Sequence, residues 1–356
     1  MNLQLKHHMK RHTLITVVLA GAALLGTQAN AGEPITNRLS ASLRVPFNIK
    51  ANFSGSMTLG APSVPRTTPN GANYNYDDGY VFNDVSGSGD GLTWYWGYDD
   101  SGSQIDSANN AILLSRATGN ASLTSPDMDD DGALGFEVAY AKELRRGEST
   151  KFGFEAALNY VGLDMSSGGS YRARGTRVVD SYAFTPGTTP PGASSGSVYQ
   201  GTFDGPGFVI ANTPSSSVTT AGTPIGTVAG SRQLDTDLWG GRVGPYLEWD
   251  LDDDVSVSVS GGLAIGYVDM AARWNETLTL DAGGTFNDTG SGSADEWKLG
   301  FFLTGNLNWR LSERWSAVGG LQYQNLGKVG QIFGSRRAQL DLSKSVFVTL
   351  GVSYNF

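Results

Sequence analysis

The sequence predicts an all-β fold: a closed, antiparallel transmembrane β-barrel of eight strands, with ten as the alternative count, carrying long extracellular loops. Three observations lead there. Eight segments alternate apolar and polar residues at period two, which puts one kind of residue on each face of a strand. The connections between them alternate short and long. The chain closes on VFVTLGVSYNF, an apolar stripe ending in an aromatic residue.

The first segment, residues 39–53, sets Leu39, Leu43, Val45, Phe47, Ile49 and Phe53 on one face and Arg44, Asn48, Lys50 and Asn52 on the other. The second, 132–144, exposes Leu134, Phe136, Val138 and Tyr140 and turns Glu137 inward. The third, 151–163, exposes Phe152, Phe154, Leu158 and Tyr160, with Glu155 and Asn159 inward. In the fourth, 237–251, Trp239, Val243, Leu247 and Trp249 oppose Arg242, Tyr246 and Glu248. The fifth, 255–270, alternates Val255, Val257, Val259, Leu263, Ile265 and Tyr267 with serine, glycine and alanine. The sixth, 296–311, exposes Trp297, Leu299, Phe301, Leu303, Leu307 and Trp309; the seventh, 315–326, exposes Trp315, Ala317, Leu321 and Tyr323. The eighth begins near Ser343. Each reaches the roughly 9–11 residues that a tilted strand needs to cross a bilayer.

Short connections (145–150, 252–254 and 312–314) alternate with long ones (54–131, 166–236, 271–295 and 327–342), which are expected to be external loops. Trp239 and Trp249 lie ten residues apart on one face, about 25 Å along the axis of a barrel tilted by roughly 40°. With Trp297, Trp309 and Trp315 they are expected to form two aromatic girdles. Pro46 and Pro245 interrupt strands that a closed barrel pairs on both sides, so a bulge or local fraying is expected at each.

The amino-terminal 31 residues carry Lys6, Lys10 and Arg11, an apolar run over 14–25 that is too short to span a bilayer, and Ala29-Asn30-Ala31. This is the pattern of a cleaved secretory signal, which leaves residues 32–356 as the barrel with its external loops. The leader takes three of the 25 basic residues and none of the 34 acidic ones, so the remainder has a net charge of −12. That balance argues against nucleic acid as a partner. Cysteine is absent, so there is no disulfide or thiolate chemistry. All three histidines, His7, His8 and His12, fall in the leader. The barrel region therefore lacks the usual general base and any imidazole metal ligand.

Several motifs have modest readings. Asp127, Asp129, Asp131 and Gly132 match the opening of a calcium loop, but position twelve is Val138 rather than glutamate, so a solvated turn is expected. The run Asp252, Asp253, Asp254 reads as a periplasmic turn. Tyr80 to Val85 and Leu92 to Tyr98 flank SGSGDG as a short hairpin, and 112–117 reads as a further strand above the membrane. The aromatics Tyr74, Tyr76, Tyr80, Phe82, Trp94, Tyr95, Trp96 and Tyr98 are expected to form a small loop core; a sugar- or partner-binding surface is the alternative. Inward charges Arg44, Lys50, Arg242, Lys298 and Arg310 face Glu137, Glu155 and Glu248. Because eight strands leave an interior just wide enough for side chains, these are expected to pair and fill the lumen.

The signal, the strands and the terminal aromatic together resemble outer-membrane β-barrels of the outer membrane protein A and X type, within the porin-like superfamily. The resemblance implies a location in the outer membrane, contact with its lipid, and assembly by the barrel assembly machinery reading Phe356 with Tyr354 and Val352. Barrel enzymes of that membrane (surface proteases, acyltransferases and phospholipases) use a histidine, so by comparison this chain is expected not to be an enzyme and to need no cofactor or metal. A peptidoglycan-binding domain after the barrel is not expected. The functional expectation is a structural, surface-presenting envelope protein. The alternatives are a narrow porin-like channel for small solutes, or an adhesin or receptor with an unidentified partner at its external loops.

Overall fold

The computed structural model describes residues 37–60, 74–130, 132–193 and 196–356; the signal segment, Asp131 of the acidic turn and residues 61–73 lie outside them. Thirteen strands build the wall. They are β1 (Asn37–Phe47), β2 (Lys50–Thr58), β3 (Ala111–Thr124), β4 (Gly135–Arg146), β5 (Thr150–Ser167), β6 (Tyr171–Ala183) and β7 (Ser216–Asp250). Then follow β8 (Val255–Leu280), β9 (Thr285–Arg310), β10 (Trp315–Asn325), β11 (Lys328–Phe333), β12 (Arg336–Asp341) and β13 (Ser345–Asn355).

Eight of them, β1-β4-β5-β7-β8-β9-β10-β13, pair antiparallel in that order, and β13 returns to β1. Each of the eight segments read from the alternation contributes a strand to this ring, the first of them only as far as Phe47. The stagger follows from the register. From Asn37 the pairing passes through Lys142, Phe154 and Pro245, crosses β8 at Gly261 by the register on either side of that proline, and continues through Leu303, Tyr323 and Val346. It re-enters β1 at Phe47, ten residues up. Eight strands staggered by ten residues give a tilt of roughly 40° and a backbone radius of about 8 Å.

The outward face is apolar: Leu43, Leu158, Leu263, Leu299, Leu350 and their neighbours on every strand are exposed. An exposed apolar band of that extent on a closed wall is a lipid contact. The prolines behave unequally. Pro46 keeps its register against Phe347. At Pro245 the ladder to β8 lapses between Val243 and Tyr246, the fraying expected there. The two strands approach closely at this point, where a Cβ on Gly244 would lie 2.1 Å from the Gly261 carbonyl oxygen.

The long connections are not loose loops. Three strands, β7, β8 and β9, run straight through into a second, outer storey, where 216–236, 271–280 and 285–295 are still strand. The other five ring strands break and are continued upward by new ones: β1 by β2, β4 by β3, β5 by β6, β10 by β11, and β13 by β12. The outer storey thus repeats the eight-fold order β2-β3-β6-β7-β8-β9-β11-β12, with β12 paired back to β2.

The break corrects the first strand of the sequence reading. Asn48 has φ 60°, a left-handed conformation that asparagine tolerates, and it shifts the alternation by one residue. A one-residue shift moves every following side chain to the other face. Ile49 and Phe53, expected outside, are therefore 3% and 1% exposed in the core, and Lys50 points out of the wall. Gly327 (φ 74°) does the same to β11, turning Val329 inward, and residues 342–344 do it to β12, turning Leu340 inward. These residues meet Leu234, Leu238, Val268, Met270 and Phe302 in an apolar layer at the waist, each large side chain contributing about 1.5–3 kcal/mol by burial.

Above the wall, Gly79–Val81 pairs with Trp96–Tyr98 as the expected hairpin. Tyr76, Phe82, Tyr95, Trp96 and Tyr98 are all within 5% of full burial; Tyr76, Trp96 and Tyr98 pack with Tyr182, Phe184 and Ile210, and Phe82 and Tyr95 pack with each other and Tyr80. The aromatic cluster is a loop core, as its composition suggested.

Candidate functional site in the barrel lumen

The topology concentrates charge in the lumen. Because inward residues alternate along each strand, Arg38 and Arg44 on β1, Glu137 on β4, Glu155 on β5, and Arg242 and Glu248 on β7 all project into a ring of about 8 Å radius. They meet in two sets. In the inner set, Arg44 donates to Glu137 at 2.6 Å and to Gln324 at 2.8 Å. Arg242 donates to the same Glu137 at 2.7 Å and also to Glu155. Two guanidiniums and two carboxylates thus neutralise each other, and every member is at most 6% exposed. Arg44 also lies 3.6 Å over the Phe347 ring and Arg242 5.0 Å over Phe302, so the cations abut the apolar waist through aromatic faces.

Nearer the mouth at which the barrel's first and last strands end, Glu248 accepts from Arg38 at 2.6 Å and from Lys151 at 3.2 Å. Below this lies an open vestibule of about 420 Å³ lined by Arg38, Arg146, Lys151, Glu248, Asp254 and Arg310 among others.

Of the sequence-derived lumen charges, Lys50 leaves the lumen, while Lys298 and Arg310 keep the inward parity of β9 but join neither set. Lys50 follows the Asn48 shift to the outer face, where it is 45% exposed and 3.9 Å from Asp127. Lys298 is half-buried and pairs at 2.6 Å with Glu296, two residues away on its own strand. Arg310 ends β9 at the mouth, exposed to water, and among the described residues no carboxylate lies within ion-pair distance of it; Arg38, not among the charges read from the sequence, pairs with Glu248 instead. Arg38 lay just outside the first segment as read, but its parity with Ser40, Ser42 and Arg44 was the signal that placed it inward.

A second charged layer, invisible from the sequence because it falls in segments taken as loops, fills the outer storey. Arg232 donates to Glu276 at 2.6 Å. Arg336 donates to the other oxygen of Glu276 at 2.5 Å and to Asp288 at 2.6 Å. Burial opposes the Arg336 charge, yet Tyr171, Asp288 and Glu276 hold its pKa above the usual arginine value. Above it, Val228, Leu278, Ile225 and Leu280 form another apolar layer with Leu123.

On the outward face the tryptophans fall into two groups with other aromatics. Phe136, Tyr160, Trp239, Tyr267 and Trp297 are direct cross-strand neighbours over five adjacent strands, with ring centroids 4.5 Å apart at Tyr160–Trp239 and 5.0 Å at Tyr267–Trp297. Trp249, Trp309 and Trp315 are exposed toward the other rim. There the last strand closes the ring: the Phe356 and Asn37 backbones exchange hydrogen bonds of 2.9 and 3.0 Å. Tyr354 packs against Trp315 and Phe356, and Val352 faces outward.

No family model matches the chain, and no curated protein matches it. Solved structures similar to it include the outer membrane protease OmpT of Escherichia coli, at 9% identity and a TM-score of 0.34, covering 93% of this chain and 100% of that one. Ail, the attachment invasion locus protein of Yersinia pestis, is similar at 8% identity and 0.25, covering 91% and 100%. So is the outer membrane protein OprG of Pseudomonas aeruginosa, at 10% identity and 0.25, covering 91% and 98%.

Proposed function

We propose that this protein is a closed, non-enzymatic outer-membrane barrel with a structural role in the envelope, spanning the lipid and holding a tall outer storey above it. The observation that carries this is the filled interior. From the periplasmic side the lumen passes an ion layer (Arg44, Glu137, Arg242, Glu155), an apolar waist, a second ion layer (Arg232, Glu276, Arg336, Asp288) and a second apolar layer. A solute crossing it must break both charge sets and displace two packed cores, and an unpaired buried charge costs several kcal/mol. The carboxylates inside are held by guanidiniums and have no histidine beside them, which supports the non-enzymatic reading. The outer aromatic core and strands are the part available to an external partner, should the role be adhesion or reception.

The test is single-channel recording on the refolded protein in planar bilayers. We expect no sustained openings. Stable nanosiemens-scale conductance would overturn the closed-barrel reading and put a narrow solute channel in its place.

A further inference from the structure

The outer storey has one joint that its backbone does not close. Seven of the eight joints there are strand ladders, but among the described residues β9 and β11 share none. The cause is the shift at the waist. β10, β13 and β1 are adjacent, and all three shift by one residue, so their continuations β11, β12 and β2 still pair with one another. β9 runs through unshifted, and its face alternation no longer matches that of β11.

Side chains hold this seam. Arg336 donates to Asp288 across it at 2.6 Å and Gln331 donates to Glu296 at 3.3 Å. The Phe333 ring covers Gly292, where a Cβ would lie 2.2 Å from the ring. The base of the β11–β12 hairpin is anchored, since Val329, Ala338 and Leu340 are fully buried; its tip has only these contacts to β9.

We propose that the hairpin tip, residues 330–337, is a strap that opens the outer storey at the β9–β11 seam, with Arg336 as its latch. Opening carries the tip together with its ladder partners Ser54 and Gly55 of β2 and uncovers the Glu276–Arg232 pair and Trp274. The experiment is amide hydrogen exchange on the full chain in lipid nanodiscs. Seam-facing amides of residues 288–296 and 330–334 should exchange at least tenfold faster than amides of β7 and β8 at the same height. Asp288→Asn, which removes one latch contact and leaves Arg336 on Glu276, should speed the seam alone by a further several-fold. A disulfide between cysteines replacing Ser293 and Ile332, the outward residues beside the Gly292–Phe333 contact, should return seam exchange to the ladder rate, and reduction should release it. Seam amides as slow as ladder amides in the unmodified protein, or an Asp288→Asn effect spread evenly over the barrel, would overturn the strap. Neither outcome depends on whether the lumen conducts.

Discussion

Arg44 and Arg242, from strands on opposite sides of β4 and β5, grip the two oxygens of one carboxylate: Glu137 accepts from Arg44 at 2.6 Å and from Arg242 at 2.7 Å. Removing that carboxylate leaves Arg44 with only the neutral Gln324 and the two guanidiniums with Glu155 as their one remaining carboxylate. Glu137→Ala is expected to cost about 3–5 kcal/mol, read as a shift of the urea unfolding midpoint in lipid vesicles. Arg310→Ala, at the wet mouth with no ion partner, should change stability by less than about 0.5 kcal/mol. Equal effects from the two substitutions would show that the Glu137 layer does not seal the lumen.

Phe356 closes the ring through its backbone to Asn37 and ends the outward stripe of Val352 and Tyr354. Deleting it, or replacing it with Asp, should lower the amount of folded barrel in outer-membrane fractions severely. Folding is scored by heat-modifiable mobility; an unchanged folded band would remove Phe356 from any role as an assembly signal.

Half-buried acids stand beside the outer aromatic core. Asp77 accepts from the Ala117 amide at 2.6 Å, and burial, with the nearby Asp78 charge, pushes its carboxyl up to about 6. Asp78 is shifted in the same direction, again by burial. A folded-state carboxyl pKa above the unfolded value of 3.8 means that the folded protein binds the proton more tightly. Its contribution to stability is therefore present in acid and is lost as pH rises from about 4 to about 6. The stability difference between wild type and Asp77→Asn should change across that window and be flat above it. A difference independent of pH would show that Asp77 titrates normally.

Just above the aromatic ladder, Asp237, Asp269 and Asp295 are direct cross-strand neighbours on β7, β8 and β9. Like charges set opposite one another destabilise a sheet, by roughly 0.2–1 kcal/mol. Asp269→Asn should raise the unfolding midpoint accordingly, and more at low ionic strength, where screening is weak. Destabilisation by Asp269→Asn would mean that the carboxylate has a favourable partner.

Much of the barrel was legible in the residues. Alternation is a local property, so Val255 to Tyr267 announces an outward stripe with no knowledge of its neighbours, and the tight turns at 252–254 and 312–314 set the direction of each hairpin. The outward tryptophans followed from the same parity. What parity could not show was its own interruption. Asn48 and Gly327 are ordinary polar and small residues in the sequence, and only a backbone forced to φ 60° and 74° by the strands on either side turns Ile49 and Val329 inward.

By itself, then, the sequence determined the fold class, the eight membrane strands, their lipid face and the charge types that enter the lumen, because each depends on residues two apart. The tertiary structure decided the rest: which charges meet, that Glu248 goes to Arg38, and that the long connections are a second storey with an ion layer of its own. Those outcomes depend on ring register, which brings Arg44 to a glutamate 93 residues away and to a glutamine 280 residues away. A ten-residue stagger is a property of the closed ring, and no single strand carries it.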